Sequence, residues 1–182
     1  MSTDSTPYGH VAQHFDEVLR QVADDQWTNA TPCVGWNVTD LTSPVIATHQ
    51  RVYAMVDARG VPSLRAGVPT GERWTSVTLA MIDALNDGCV AQPLARVRTG
   101  EQSFSRVVEG LLMFDTLCHT WDLARAVGAV DTLGPDAVRA AHERLAPESA
   151  AIRGPGGFAG AIEPDPRADA QRRFLNFVGR AC

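Results

Sequence analysis

From Pro7 to Asp24 the apolar positions Val11, Phe15, Val18, Leu19 and Val22 recur at helical spacing with polar residues between them, which predicts an amphipathic first helix over 7–24. Pro7 suits its first turn, where a backbone N–H would go unbonded anyway. The next segment, WTNATPCVGWNV, is rich in turn formers and aromatic residues. Asn37 and Asp40 then have the spacing of a helix start, so a second helix is predicted over 38–58. Pro44 interrupts it: proline deletes one backbone hydrogen bond and crowds the preceding turn. The helix therefore either kinks there or restarts with Ser43 as cap and Pro44 in the first turn, and the Ser43-Pro44 pair favours the restart.

Residues 60–74 read as loop, and helical periodicity returns over 75–91 through Val77, Leu79, Ala80, Ile82, Leu85 and Cys89, ending near Pro93. LARVRTGEQSF reads as a short extended turn with Gly100 at the bend. It precedes the most hydrophobic helix, 104–127, for which Gly128 is the expected stop. A fifth helix over about 136–150, a Pro/Gly-rich loop and a last helix over 167–180 complete the chain. The sum is an all-α fold: a single domain over 1–182 with a four-helix bundle core of about 7–128 and a C-terminal helical extension of about 129–182.

Composition narrows the function. With 182 residues, 45% hydrophobic and 20% charged, the chain forms a sizeable core and needs neither disulfides nor a structural metal, so any metal would serve chemistry. All 16 basic residues are Arg, and 21 acidic residues bring the net charge to -5. No basic field exists to attract nucleic acid or an anionic membrane. The all-Arg basic set, rich in Ala, Gly and Val company, points to a GC-rich, actinobacterial source. Cys33, Cys89, Cys118 and Cys182 are dispersed, with no thiolate zinc pattern. The opening MSTDSTPYGH has no basic or apolar leader region, and no apolar run approaches the ~18 residues of a membrane span, so a cytoplasmic protein is expected.

Helix 104–127 is apolar on nearly every side, so its polar residues need reasons. Asp115, His119 and Asp122 project from one stripe at 100° per residue. A carboxylate and an imidazole one turn apart can grip a divalent cation, form a charged pair in a cavity, or satisfy each other in the core. Asp122, beside Arg125, is expected in a surface or supporting ion pair. His49 shares the apolar stripe of the second helix with Leu41, Val45, Val52 and Val56, whereas His10, His14 and His142 read as surface. Cys118 reads as an inert core thiol with its pKa raised by apolar surroundings, and Cys33 as part of a structural turn.

Three segments read together are more specific: TPCVGWNVTDL at 31–41, DTLCHTWDLARAVG at 115–128 and GFAGAIEPDPRADAQRRFLNFVGR at 157–180. In order and spacing they resemble actinobacterial DinB-like proteins of the mycothiol-dependent maleylpyruvate isomerase type, and more narrowly their short metal-binding relatives. The resemblance implies a four-helix bundle whose cavity holds a divalent metal, zinc or nickel, on a His eight residues beyond the motif Trp and on a later Glu and His four apart. It also implies isomerase or transferase chemistry with a low-molecular-weight thiol such as mycothiol as cosubstrate. Carried over, His119 matches the family His and Asp115 takes the place of the Glu. Eight residues beyond Trp36 stands Pro44, which has no donor atom.

Two readings follow. In the first, a small-molecule enzyme holds a metal on His49, Asp115 and His119, with His49 replacing what Pro44 lacks. In the second, a metal-free cavity lined by His49, Trp36 and Trp121 takes an apolar metabolite, and Asp115 and His119 act as catalytic acid and base or only orient the ligand. A small-molecule substrate is the expected partner in both, and a homodimer is compatible with either.

Overall fold

The computed structural model describes residues 6–57, 67–88, 94–97, 100–150, 152–154 and 158–182. Helix α1 (Pro7–Leu19) opens with Thr6, whose Oγ1 accepts the Gly9 N–H at 3.0 Å, and with Pro7 in the first turn. It buries Tyr8, Val11, Phe15, Val18 and Leu19. It ends sooner than the periodicity predicts: the N–H groups of Gln21 and Val22 bond the carbonyls of Val18 and Leu19, three residues back, and tighten the chain into turns.

Helix α2 (Val38–Tyr53) begins with the reciprocal cap expected of Asn37 and Asp40. It does not restart at Ser43; it runs unbroken through Pro44. The cap at Asn37 has already set the helix going, and Thr42 holds the turn before the proline with a 2.9 Å bond from its hydroxyl to the Val38 carbonyl. Helix α3 (Thr70–Asn86) starts inside the stretch read as loop. Trp74 explains the early start, since it is buried just after the first turn and donates its indole N–H to the Ala12 carbonyl at 3.3 Å. Cys89 and Pro93 lie outside the described residues.

An antiparallel hairpin of β1 (Leu94–Val97) and β2 (Gly100–Ser103), with Leu94 opposite Ser103 and Val97 opposite Gly100, replaces the expected extended turn. The predicted helix 104–127 is helical throughout but not uniform: α4 (Phe104–Val107) passes through a π-helical turn, Val108–Leu112, into α5 (Met113–Val127). Gly128 ends it as expected, at φ +72°, a left-handed conformation that glycine adopts without steric cost. Helix α6 (Pro135–Leu145), a 3-10 turn (Ala146–Glu148) and α7 (Ala170–Phe177), capped by Asp169, form the C-terminal part.

The fold is all-α. Helix α1 packs on α3 and α5, and α2 packs on the same two, which closes the four-helix core; α6 packs on α7 and also contacts α5. Core residues come from every layer, including Phe15, Ile46, Trp74, Met81, Phe114, Leu117 and Phe174. Among the described residues no helix is long and apolar enough to cross a membrane.

Candidate functional site

Helix α5 presents Asp115, His119 and Asp122 as one stripe, as their spacing requires. His119 Nε2 lies 3.5 Å from Asp115 Oδ1, and His119 Nδ1 lies 3.0 Å from Asp122 Oδ2. Asp122 takes the supporting one of the two ion-pair roles expected of it, but with a different partner: its side chain is fully buried, and it pairs with Arg180, not Arg125. Arg180 donates from Nε at 2.8 Å and from Nη2 at 2.7 Å, one bond to each carboxylate oxygen. Arg125 instead reaches Asp131 at 3.4 Å and stands over Trp121.

Cys33 sits in the structural turn expected of it, and its thiol also joins the cluster. Its thiol donates to Asp122 Oδ2 at 3.2 Å, accepts from Arg180 Nη2 at 3.1 Å, and lies 3.9 Å from His119 Nδ1. The turn that delivers it is built by the TPCVGW string: Thr31 Oγ1 accepts the Cys33 N–H, the Trp36 N–H bonds the Cys33 carbonyl, and Gly35 has φ +79°. Trp36, partly exposed, then stacks on the His119 ring at 6.2 Å between centroids and 18° between planes. At the other end of the chain Gly179, at φ +83°, aims Arg180 inward; a Cβ there would meet the Ala159 Cβ at 2.6 Å.

The electrostatics follow from this packing. Burial works against charge on His119, but the Asp115 carboxylate and hydrogen bonds to Asp115, Asp122 and Cys33 outweigh it and raise its pKa well above 6.5. Burial likewise opposes ionisation of Asp122, yet the Arg180 and His119 hydrogen bonds bring its pKa down to about 2. Asp115 is lowered too, because His119 overcomes its desolvation. Two carboxylates, one imidazolium and one guanidinium thus sum to zero charge. Cys118, buried, is raised to about 12 by desolvation first and Asp122 second, as expected of an inert core thiol.

Beside this cluster lies a cavity of about 650 Å³, with Asp115, His119, Cys33, Trp36 and Pro44 in its wall. His49 and Trp121 are not among the residues that line it. Trp121 is buried in the core. His49 is fully buried, donates from Nδ1 to the Val45 carbonyl at 2.8 Å, faces Thr116 Oγ1 with Nε2 at 3.4 Å, and meets the Trp74 ring edge-on. Desolvation lowers its pKa to about 4, so it is a neutral core histidine at pH 7.

The family model for the mycothiol maleylpyruvate isomerase N-terminal domain matches residues 8–124. The chain belongs to this family. Two uncharacterized proteins from strains of Mycobacterium tuberculosis are each 31% identical to it over 173 residues, spanning 88% of this chain and 90% of theirs. No solved structure gives a significant match. The resemblance read from the three sequence segments is therefore upheld, and the mycobacterial relatives agree with an actinobacterial origin.

The metal that the family resemblance implies does not fit the donors of this member. Pro44, in the cavity wall, supplies none; both ring nitrogens of His49 are engaged elsewhere. His119 Nδ1 is committed to Asp122, which leaves Nε2 and Asp115 as the donors facing the cavity. Ligand atoms of Cys33, His119 and Asp122 do lie within 4.8 Å of one another. Arg180 Nη2, at 2.7 Å from Asp122 and 3.1 Å from Cys33, already takes the place a cation would need.

Sequence reasoning missed Arg180 and the joining role of Cys33. They lie 147 positions apart, so no local periodicity links them. The only local signal is a glycine close to each residue: Gly35, two positions after Cys33 in the turn, and Gly179, directly before Arg180.

Proposed function

We propose that this family member is a small-molecule enzyme that performs acid–base chemistry in the bundle cavity without a resident metal, using a low-molecular-weight thiol such as mycothiol as cosubstrate. The observation that carries the reading is the placement of His119: Nε2 on the cavity side next to Asp115, Nδ1 anchored by the buried Asp122 that Arg180 neutralises. A fixed imidazolium and an adjacent carboxylate supply a proton donor and a proton acceptor side by side. Asp115 takes the thiol proton as the thiol attacks. His119 gives its Nε2 proton to the substrate atom where negative charge develops, and the proton held on Asp115 then passes to His119 Nε2, which regenerates the carboxylate–imidazolium pair with the four-group cluster again at zero net charge. Cys33, Asp122 and Arg180 are positioning residues: they hold the ring in one orientation, with its other nitrogen beside Asp115 on the cavity side.

The test is thiol consumption with mycothiol and an electrophilic unsaturated keto acid, following adduct formation or isomerisation. Wild-type turnover that survives exhaustive chelation, with a drop of about 100-fold or more in His119→Gln, is the expected result. Activity abolished by chelation and restored by zinc refutes the metal-free part of the reading; full activity in His119→Gln refutes the acid role.

A further inference from the structure

Positive charge on the cavity wall outweighs negative charge. The guanidinium groups of Arg51, Arg144 and Arg180 and the His119 imidazole line it against a single carboxylate, that of Asp115. This concentration occurs in a chain of net charge -5. Arg180 is balanced by Asp122 and His119 by Asp115. Arg144, on α6, has no such counterpart: it is half-buried, and no ion pair or hydrogen bond engages it among the described residues. Burying a cation without a partner costs free energy, which is recovered when an anion arrives.

The setting of Arg144 is built by the π-helical turn. Gly110, inside Val108–Leu112, also lines the cavity, and a Cβ at that position would stand 3.6 Å from both Nε and Nη2 of Arg144. The guanidinium therefore lies over bare backbone, with no side chain from this position covering it. Arg51, exposed at the rim, has its Nη2 on Thr48 Oγ1 at 2.8 Å and adds a second uncompensated cation. Most of the remaining wall is apolar, with Val45, Val52, Leu111, Leu112, Phe114 and Leu145.

We infer that the cavity binds an apolar carboxylic acid, its carboxylate held by the Arg144 guanidinium and its hydrocarbon body against this apolar wall. The planar fork of arginine matches a carboxylate in two parallel bonds. A phosphate dianion would need Arg51 as well as Arg144 to offset its charge, and Arg51 is exposed and already bonded to Thr48 Oγ1. The volume of about 650 Å³ lies within the range that accommodates metabolite-sized ligands. Arg144 lies beyond residues 8–124, so the anchor is outside the part of the chain that the family model matches. The inference rests on reading the cavity as the substrate chamber and adds the chemical class of what enters it.

Calorimetric titration of the full chain with decanoate, decanol, succinate and inorganic phosphate tests it. Decanoate should bind about 10- to 100-fold more tightly than decanol, the difference expected from a hydrogen-bonded charged partner. Arg144→Met should erase that preference while leaving decanol binding unchanged, and Arg144→Lys should restore part of it. Arg144→Gln serves as a second variant should Arg144→Met fold poorly, with circular dichroism as the check. Equal binding of decanoate and decanol, no loss in either Arg144 variant, or succinate or phosphate binding as tightly as decanoate would each overturn the proposal. Decanoate preference in a wild-type protein that consumes no thiol would leave the anchor standing while the proposed enzyme reading falls, so the two readings fail in separate measurements.

Discussion

Removing the charge of Asp122 at constant volume, as Asp122→Asn, probes the center of the site. Four donors converge on its two oxygens: Nε and Nη2 of Arg180, Nδ1 of His119 and the Cys33 thiol. An asparagine offers one oxygen and turns two further donors toward them, so it leaves donors unpaired and Arg180 without its counter-charge. The carboxylate is fully buried and the Arg180 side chain only 11% exposed, so solvent screens little of the loss. Breaking such a buried pair costs about 3–5 kcal/mol. For a domain of this size each kcal/mol moves Tm by about 2–4 °C, so Tm should fall by about 6–20 °C. Pairing the change with Arg180→Met removes the orphaned cation and should recover part of the loss, giving a favourable coupling in a double-mutant cycle.

The same pair sets an acid limb. Asp122 has a folded pKa of about 2 against an ordinary 3.8, so its contribution is present above pH 3.8 and disappears as pH falls through about 2. Urea unfolding followed by circular dichroism across that window should show the wild type losing more stability than Asp122→Asn, which keeps only the acid dependence of Asp115. A variant within about 1 kcal/mol of wild type at pH 7, or a double variant worse than the sum of the singles, would refute the account of Asp122 and Arg180 as a buried mutual pair.

Gly179→Ala should lower stability by about 1–3 kcal/mol from the positive φ alone, with more from the clash at Ala159, and should release Arg180 from Asp122; thermal melts and the His119 titration read the two effects. In an NMR titration His119 should remain protonated well above pH 6.5 while His49 stays neutral down to about pH 4. The signs are opposite in stability: the His119 contribution is complete below pH 6.5 and lost as pH rises through its raised pKa, whereas the His49 site costs stability as pH falls from 6.5 toward 4, where the unfolded chain takes up the proton. Pro44→His puts a third donor into the cavity wall facing Asp115 and His119; zinc at about 100 times its Kd should then stabilise the variant by about 2.7 kcal/mol and leave the wild type unchanged, and stoichiometric zinc in the wild type would count against the fit argued for this site.

Periodicity and punctuation made most of the helices legible, because an apolar stripe, the Asn37–Asp40 cap and the Gly128 stop are local signals with local causes. The errors have tertiary causes. Nothing near Thr70 announces a helix start; Trp74 makes one by burying itself against α1. Ser43-Pro44 is a sound start signal in isolation, but a cap six residues earlier had already committed the chain. His49 is the subtlest case: it does lie on the apolar stripe of α2, but a stripe says only that a residue faces inward. It does not say whether it faces a cavity or a backbone carbonyl four residues back.

The polar stripe of α5 shows where local reading stops. Spacing alone brings Asp115, His119 and Asp122 onto one face, and it leaves open which of the three is buried and what balances it. A wholly buried Asp122 three residues from His119 requires a cation from elsewhere, since an unpaired carboxylate would protonate or drive the helix outward. Arg125 meets that requirement only for an Asp122 near the surface. With Asp122 in the interior, the partner must reach it from another element through buried space. Arg180 can do so because Gly179, with its positive φ and the space of a missing Cβ, lets the chain turn into the site just after α7. Arg180 thus brings positive charge to the interior from a segment outside residues 8–124, the range that places the chain in its family, so the acid role proposed for His119 depends on residues beyond that range.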